Sequence, residues 1–213
     1  ANYAPSKLTA TTYFRRTDIG GSSCGEKQTN VIKVTVYDDL TAGTFANNYD
    51  ICPNTSPGTI SQTSGATGGD GTYTYQWQMS TDNINWSNIG GASGISFTPG
   101  SLTNTTYYRR EATSGSSCGS IISASISVDV RTLPTASFTT SSHCIGDKVP
   151  LVNTSTPGFG TLTGFFWDFG NGASSSANTP NYTYPTGGNK TIKLVVTNNI
   201  GCKDSTTRTA NIS

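Results

Sequence analysis

Apolar and polar residues alternate along several short segments of this chain. The clearest segment covers residues 72–79, where Tyr73, Tyr75, Trp77 and Met79 fall on one face and Thr and Gln residues on the other. A period of two predicts a β-strand with one buried face. Similar runs predict further strands, at residues 8–18, 29–37, 95–97, 105–111 and 121–130.

Clusters of Gly, Ser, Asn and Pro separate these runs, and no segment carries the helix formers that a helix longer than one turn needs. The 213 residues include 24 glycines, and only 12% are charged. This composition predicts an all-β chain of antiparallel β-sandwiches.

A long internal repeat organises the chain. Nine residues that begin at Leu8 return almost unchanged from Leu102, an offset of 102 − 8 = 94. The same offset relates residues 22–25 to residues 116–119. A period of this length indicates a whole domain duplicated in tandem, because solenoid repeats of about 20–50 residues bury their cores only against neighbours.

The period also predicts the domain organisation. Residues 1–38 match only the last part of the next unit, so we expect the C-terminal part of a truncated repeat, followed by a complete repeat at 39–132 and a different module at 133–213. The strands of residues 1–38 should form a two-stranded piece that contacts residues 39–132 or is completed by another chain. The units should follow one another in an elongated array.

Charge and hydropathy exclude several kinds of partner. The formal net charge of +1 gives no electrostatic attraction for nucleic acid. No apolar run approaches the length of a membrane span, so we expect no membrane insertion. The first residue is Ala, and no signal peptide with a charged and then an apolar segment follows. We therefore expect the chain to be an internal or processed piece of a longer protein.

The cysteines predict two disulfides. Because Cys118 is the counterpart of Cys24 one repeat later, we expect Cys52 to pair with Cys118 inside the complete repeat, leaving Cys24 unpaired by truncation. Cys144 and Cys202 both fall in the last module and are expected to pair with each other. Two such bridges indicate an oxidising compartment or the cell exterior.

Metal and catalytic sites are disfavoured. Zinc is the alternative use of the cysteines, but the chain has no CxxC pair and one histidine, His143, beside a cysteine expected to be bridged and inert. Asp38 and Asp39 are adjacent, and adjacent strand residues point to opposite faces, so an acid and base pair is strongly disfavoured there. With Asp129 they could hold Ca²⁺ at domain junctions, although no EF-hand spacing is present. We predict no catalytic residue, no metal and no cofactor.

Two groups of side chains have both a structural and a binding interpretation. The aromatic stripes could stack on sugars, but core packing is favoured for Tyr73, Tyr75, Trp77, Phe165, Trp167 and Phe169. Trp86, in a polar turn, is the better candidate for a glycan contact.

The paired arginines also have two interpretations. Arg109 and Arg110 repeat Arg15 and Arg16, and alternation turns one of each pair outward. That arginine either contacts a carboxylate such as Glu111 or is a solvated charge that discourages strand addition, and the second interpretation is favoured.

The last module resembles a PKD domain, the polycystic-kidney-disease-type β-sandwich. The resemblance rests on residues 166–172 (FWDFGNG), followed in order by residues 178–180 (NTP), 182–184 (YTY) and 193–198. The family usually has Asp where Asn171 stands, which weakens the case for a cation in this loop.

The repeat resembles immunoglobulin-like domains through Cys52, Trp77 and Cys118 with the late pair Tyr107 and Tyr108. Its longer motifs, including residues 102–110 and 116–119, are similar to the tandem repeats of very large Bacteroidetes cell-surface adhesins, nearest the flavobacterial gliding-motility adhesin. That resemblance implies export by type IX secretion and a filament on the outer membrane.

These observations predict a non-catalytic stalk or spacer segment of a long extracellular bacterial adhesin, with a role in gliding motility and surface attachment. Its partners would be neighbouring repeats of the same chain, and surface polysaccharide or other glycans. The alternative is an accessory module, a spacer or carbohydrate binder, of a secreted polysaccharide-degrading enzyme.

Overall fold

The structure is a computed structural model that describes residues 3–21, 24–46, 48–115 and 118–213. In that part of the chain every regular element longer than a turn is a β-strand, which confirms the all-β prediction. β-Branched and aromatic residues favour the pleated, half-buried surface of a sheet, and the Gly- and Asn-rich segments between them form the turns.

The first strands form the N-terminal ribbon: β1 (Thr12–Phe14), β2 (Thr17–Ile19), β3 (Glu26–Gln28) and β4 (Ile32–Val34). β1 pairs with β4 and β2 with β3, both antiparallel. The ribbon is a two-stranded piece, and the side chains of Tyr13 and Ile32 remain 63% and 60% exposed.

The next strands form the middle sandwich: β5 (Thr44–Phe45), β6 (Tyr49–Ile51), β7 (Gln62–Ser64), β8 (Tyr73–Ser80), β9 (Ser87–Asn88), β10 (Thr106–Ser114), β11 (Ser120–Ile122) and β12 (Ile126–Val130). One sheet has the order β6-β12-β10-β8-β9, with β11 also on β10. The β5–β7 pair and a bridge between Ile60 and Phe97 lie in the remaining layer. The core between them holds Ile51, Ile60, Trp77, Tyr108, Ile126 and Val128.

The final strands form the last sandwich: β13 (Phe138–Thr139), β14 (Lys148–Pro150), β15 (Val152–Asn153), β16 (Leu162–Asp168), β17 (Ser174–Ser175), β18 (Asn181–Thr183), β19 (Gly188–Asn198) and β20 (Lys203–Ile212). Its main sheet has the order β17-β16-β19-β20, beside the pairs β14–β18 and β13–β15. Its separate core includes Phe138, Leu151, Trp167, Phe169, Tyr184, Ile192, Leu194 and Ile212.

Both sandwiches share one connection that positions the cysteines. A short segment near the start of each runs parallel to the final strand, through Ile51 beside Val130 and through His143 beside Ile212. In both, a cysteine directly follows that segment. The parallel segment and the final strand therefore end together, at the edge where the chain leaves the sandwich.

Candidate functional site: the joint between the two sandwiches

A disulfide joins the two sandwiches. Cys52 follows β6 at the exit end of the middle sandwich, and Cys202 lies in the turn between β19 and β20. Their sulfur atoms are bonded, and their Cα atoms are 5.5 Å apart. Cys202 is 2% exposed, so the bridge is shielded on the side of the last sandwich.

This bridge corrects the predicted pairing. The pairs Cys52–Cys118 and Cys144–Cys202 do not form, and Cys118 and Cys144 carry thiols. Cys118 lies beyond the far end of β10, a strand whose ends are 114 − 106 = 8 residues apart, about 27 Å along a strand. Cysteine Cα atoms more than about 7 Å apart cannot be bridged, so Cys52 and Cys118 cannot pair within the middle sandwich.

A similar distance separates the cysteines of the other predicted pair. Cys202 precedes β20 at one end, and Cys144 follows His143, which pairs with Ile212 at the other end. The strand between these ends covers 212 − 203 = 9 residues, about 30 Å. Cys24 is exposed in the turn between β2 and β3 of the ribbon.

The side chain of Arg131 makes ion pairs and an aromatic contact at the joint. Its Nε donates to Asp50 Oδ1 at 2.5 Å and its Nη2 donates to Asp129 Oδ2 at 3.1 Å. The guanidinium carbon lies 4.5 Å from the centroid of the Phe159 ring, which belongs to the last sandwich. The backbone N–H of Arg131 also donates to the Ile51 carbonyl at 2.9 Å. One side chain therefore contacts both sandwiches.

The turn that carries Cys202 is organised by a buried asparagine. Asn198 Oδ1 accepts from the backbone N–H of Cys202 at 2.9 Å, and its Nδ2 faces the carbonyls of Pro157 and Phe159 at 3.5 and 3.3 Å. Asn198 is 1% exposed. Asn198 therefore fixes the turn of the disulfide relative to the loop that carries Phe159, whose ring packs against Arg131.

The linker packs tightly against the same loop. Gly158 has a φ of 64°, and a Cβ there would overlap the Leu133 carbonyl. Only glycine fits this close approach without strain. Farther along, Asp204 accepts a hydrogen bond from the backbone N–H of Ala136 at 2.8 Å.

Arg110 is the member of the arginine pair that alternation turns inward, and Arg109 is the outward one. The Arg110 side chain is 0% exposed in the core of the middle sandwich, where its guanidinium donates to Gln62 at 3.0 Å and to the carbonyls of Ile95 and Ala42 at 2.6 and 3.2 Å. The charge faces inward because β10 buries its even-numbered positions. Burial lowers the pKa of Arg110 from its ordinary value. The alternating face of β10 was the signal that could have revealed this.

The other arginines stay near solvent. Arg109 turns outward, where its Nε donates to Gln78 at 2.7 Å and its guanidinium carbon lies 4.1 Å from the Trp86 ring centroid. Arg15 and Arg16 are exposed in the ribbon, and Arg16 pairs with Asp18 at 2.9 Å.

The aromatic stripes are largely core. Trp77, Trp167 and Phe169 are buried, which confirms the packing interpretation for these side chains. Tyr75 is half-buried and stacks on the Arg110 guanidinium, with 4.0 Å from its ring centroid to the guanidinium carbon. Trp86 is half-buried outside the core, in a turn closed by hydrogen bonds to the Asp82 carboxylate.

Candidate chemistry elsewhere is sparse. Ser141 Oγ and His143 Nε2 are 2.9 Å apart at an exposed edge. In the described residues, no group of three or more His, Cys, Asp and Glu side chains is arranged to hold a metal ion. At the ribbon end of the middle sandwich, the Asp38 carbonyl accepts a hydrogen bond from the backbone N–H of Gly69. Among the residues that the structure describes, there is no helix long and apolar enough to cross a membrane.

The fold and its joint define a class: consecutive β-sandwich modules linked end to end. Residues 1–38 and 41–132 match the family model described as a domain of unknown function (DUF8696), and the chain belongs to that family. Residues 131–213 match the PKD domain model. No curated protein matches the chain.

Solved structures similar to the chain include the PKD1 domain of Vibrio anguillarum Epp, at 35% identity over 39% of this chain and 96% of that one, with a TM-score of 0.37. The PKD1 domain of the Vibrio cholerae metalloprotease PrtV is 30% identical over 38% of this chain and 99% of that one, with a TM-score of 0.36. A structure of carbohydrate-binding modules from the β-sandwich superfamily is 30% identical over 39% of this chain and 35% of that one, with a TM-score of 0.38.

Proposed function

We propose that this chain is a non-catalytic stalk or spacer segment of a long extracellular protein, and that its function is mechanical. Residues 1–38, 39–132 and 133–213 are its successive units. The observation that carries the proposal is the Cys52–Cys202 bridge, because it ties the exit end of one sandwich to the entry turn of the next.

The bridge changes what a joint between modules can do. A peptide linker alone lets two domains swing relative to one another, which is the default for neighbouring domains with small interfaces. A second covalent link beside the linker removes most of this freedom. Arg131, with its contacts to Asp50 and Phe159, adds a polar contact at the same place. The joint is therefore built to keep the modules aligned.

The bridge also limits extension under force. When the chain is pulled from its two ends, the segment between the bridged cysteines carries no tension. Their sequence separation is 150, so breaking the bridge adds roughly 500 Å of extensible chain at about 3.3–3.6 Å per residue.

Single-molecule stretching of the chain tests the proposal. We expect the oxidised protein to unfold with a total extension roughly 500 Å shorter than the Cys52→Ser, Cys202→Ser double variant. The Cys144→Ser variant is the matched control, since it removes a thiol that lies outside the joint, and it should stretch like the parent. Equal extensions for parent and double variant would refute the mechanical role.

The disulfide and the resemblance of the repeat support a finer assignment. Disulfides persist outside the cell and in the bacterial periplasm. We assign the segment to a large Bacteroidetes cell-surface adhesin with a role in gliding motility and attachment, exported by type IX secretion. Purification of the parent protein from its source, with fractionation of outer membrane and medium, tests this assignment. Recovery in the cytosol would contradict it.

Trp86 favours a second candidate, an accessory module that binds glycan. Its indole is half-buried outside either core, and one face carries the Arg109 guanidinium at 4.1 Å from the ring centroid. A sugar ring would stack on the other face. Glycan-array binding that is saturable and lost in Trp86→Ala, but kept in Phe166→Ala, would support this function. Absence of binding would reject it.

A further inference from the structure

Cys144 occupies in the last sandwich the position that Cys52 occupies in the middle sandwich. Cys52 follows Ile51, whose carbonyl accepts from the Arg131 backbone N–H at 2.9 Å. Cys144 follows His143, whose carbonyl accepts from the Ser213 backbone N–H at 3.1 Å. The two cysteines thus lie at the same register beside the outgoing chain.

Cys144 differs from Cys52 in one respect: no other part of the described chain covers it. Cys144 is exposed, and the adjacent Ile145 is 53% exposed. Cys52, by contrast, is half-buried against the next sandwich.

Cys118 is the counterpart of Cys202. Cys202 lies in the turn between the paired strands β19 and β20, and Cys118 in the turn between the paired strands β10 and β11. The turn of Cys202 is closed by a hydrogen bond from the Asn198 backbone N–H to the Cys202 carbonyl, and that of Cys118 by one from Ser114 to the carbonyl of Gly119. The two cysteines therefore match to within one residue.

The entering chain passes both turns in the same way. At the entry of the last sandwich, Gly158 packs on the Leu133 carbonyl. At the entry of the middle sandwich, Gly68, with a φ of 79°, packs on the Asp39 carbonyl. A Cβ added at the next glycine, Gly69, would lie 3.6 Å from the Cβ of Cys118, so the entering chain passes close to that cysteine. Both ends of the middle sandwich therefore share one joint design.

We propose that Cys144 and Cys118 each form a disulfide across a joint, as Cys52 and Cys202 do. Cys144 bonds to a cysteine in the final hairpin of the domain that follows. Cys118 bonds to a cysteine that follows the parallel segment of the preceding repeat, one period before Cys52, at position 52 − 94 = −42. The inference rests on the proposed function in needing further domains on both sides.

The chemistry is the oxidation of two thiols for each bond. The two sulfur atoms lose their two protons and two electrons and become joined. A disulfide-bearing oxidant takes up both electrons and both protons and is reduced to a dithiol.

Such bridges would interlock along the array. Each sandwich would be joined to its predecessor by its turn cysteine and to its successor by its exit cysteine. The shortest covalent path through two domains would then run from Cys118 to Cys144, a separation of 144 − 118 = 26 residues. The rest of both domains would carry no tension.

Peptide mapping of the parent protein, isolated from its source with thiols blocked and no reductant, tests the proposal. We expect the peptides of Cys118 and Cys144 each to be linked to a peptide from outside residues 1–213. Blocked thiols at both positions, or a Cys118–Cys144 bond, would overturn it.

A fusion provides a second test that is independent of the native flanking sequence. Because Ser213 matches Arg131, an extra copy of residues 132–213 is appended directly after Ser213 of the full chain. We expect Cys144 of the first copy to bond to the second Cys202, and Cys144→Ser to leave that second Cys202 open to alkylation. Alkylation of Cys144 in the oxidised fusion, with Cys52–Cys202 intact, would overturn the inference while leaving the stalk function standing.

Discussion

The guanidinium carbon of Arg110 lies 4.0 Å from the centroid of the Tyr75 ring, inside the core of the middle sandwich. Phe45 lies near it, 4.8 Å from the same carbon to its ring centroid. No carboxylate pairs with Arg110 in the described chain, where the ion pairs involve other arginines. Neutral carbonyls, an amide and two aromatic faces therefore stabilise a buried cation.

Replacing Arg110 should destabilise mainly the middle sandwich. Arg110→Ala removes a large buried side chain and leaves the carbonyls of Ala42 and Ile95 without their donor, at an expected cost of about 3–5 kcal/mol. Hydrogen exchange should show lost protection in β8 and β10 and little change in β19 and β20. Arg109→Ala is the control from the same strand, with an expected cost below about 1 kcal/mol. Equal stability of the two variants would contradict this account.

The joint disulfide should couple the two sandwiches in unfolding. Closing a loop with a sequence separation of 150 constrains the unfolded chain by up to about 5 kcal/mol in the chain-entropy model. Calorimetry should show transitions that are lower in temperature and better separated in the Cys52→Ser, Cys202→Ser variant than in the oxidised parent. An unchanged thermogram in that double variant would show that the bridge contributes nothing to stability.

The sequence predicted the strands well and the sulfur chemistry poorly. Alternation located β8 because Trp77 has to be buried, and the structure shows the same alternation on β10, where Tyr108 and Ala112 are buried. Alternation also turns one of Arg109 and Arg110 inward, and Arg110 is that residue because it shares the buried face of β10 with Tyr108. The aromatic partners that stabilise its charge could not be predicted from the sequence.

The cysteine pairing failed for a geometric reason. Repeat arithmetic finds equivalent cysteines but cannot tell whether a cysteine at a domain end pairs within its own domain or across a joint. Cys52 and Cys118 lie at opposite ends of one sandwich, whereas Cys52 and Cys202 face each other across the linker. Deciding between pairing within one sandwich and pairing across the joint requires the strand order and register.

Arg131 should stiffen the joint most visibly when the disulfide is open. Its ion pairs are partly exposed, with side-chain exposures of 35% for Arg131 and 38% for Asp50, so their contribution should be about 0.5–1 kcal/mol. In the reduced protein, Arg131→Ala should broaden the distribution of angles between the sandwiches, measured by small-angle scattering. Arg16→Ala, which removes an exposed ion pair in the ribbon, is the matched control. Identical scattering from the two variants would show that Arg131 does not restrain the joint.

The last sandwich should lose stability in alkali through Tyr184. Its hydroxyl donates to the Phe169 carbonyl at 2.9 Å, and burial, with Tyr182 and Asp168 nearby, raises its pKa from 10.0 to about 12. The unfolded chain therefore releases this proton first, so the stabilisation is complete below pH 10 and declines as the pH approaches 12. Urea unfolding monitored across this range should show a steeper decline for the parent than for Tyr184→Phe, which has no proton to lose. Parallel declines in the two proteins would mean that Tyr184 titrates alike in the folded and unfolded states.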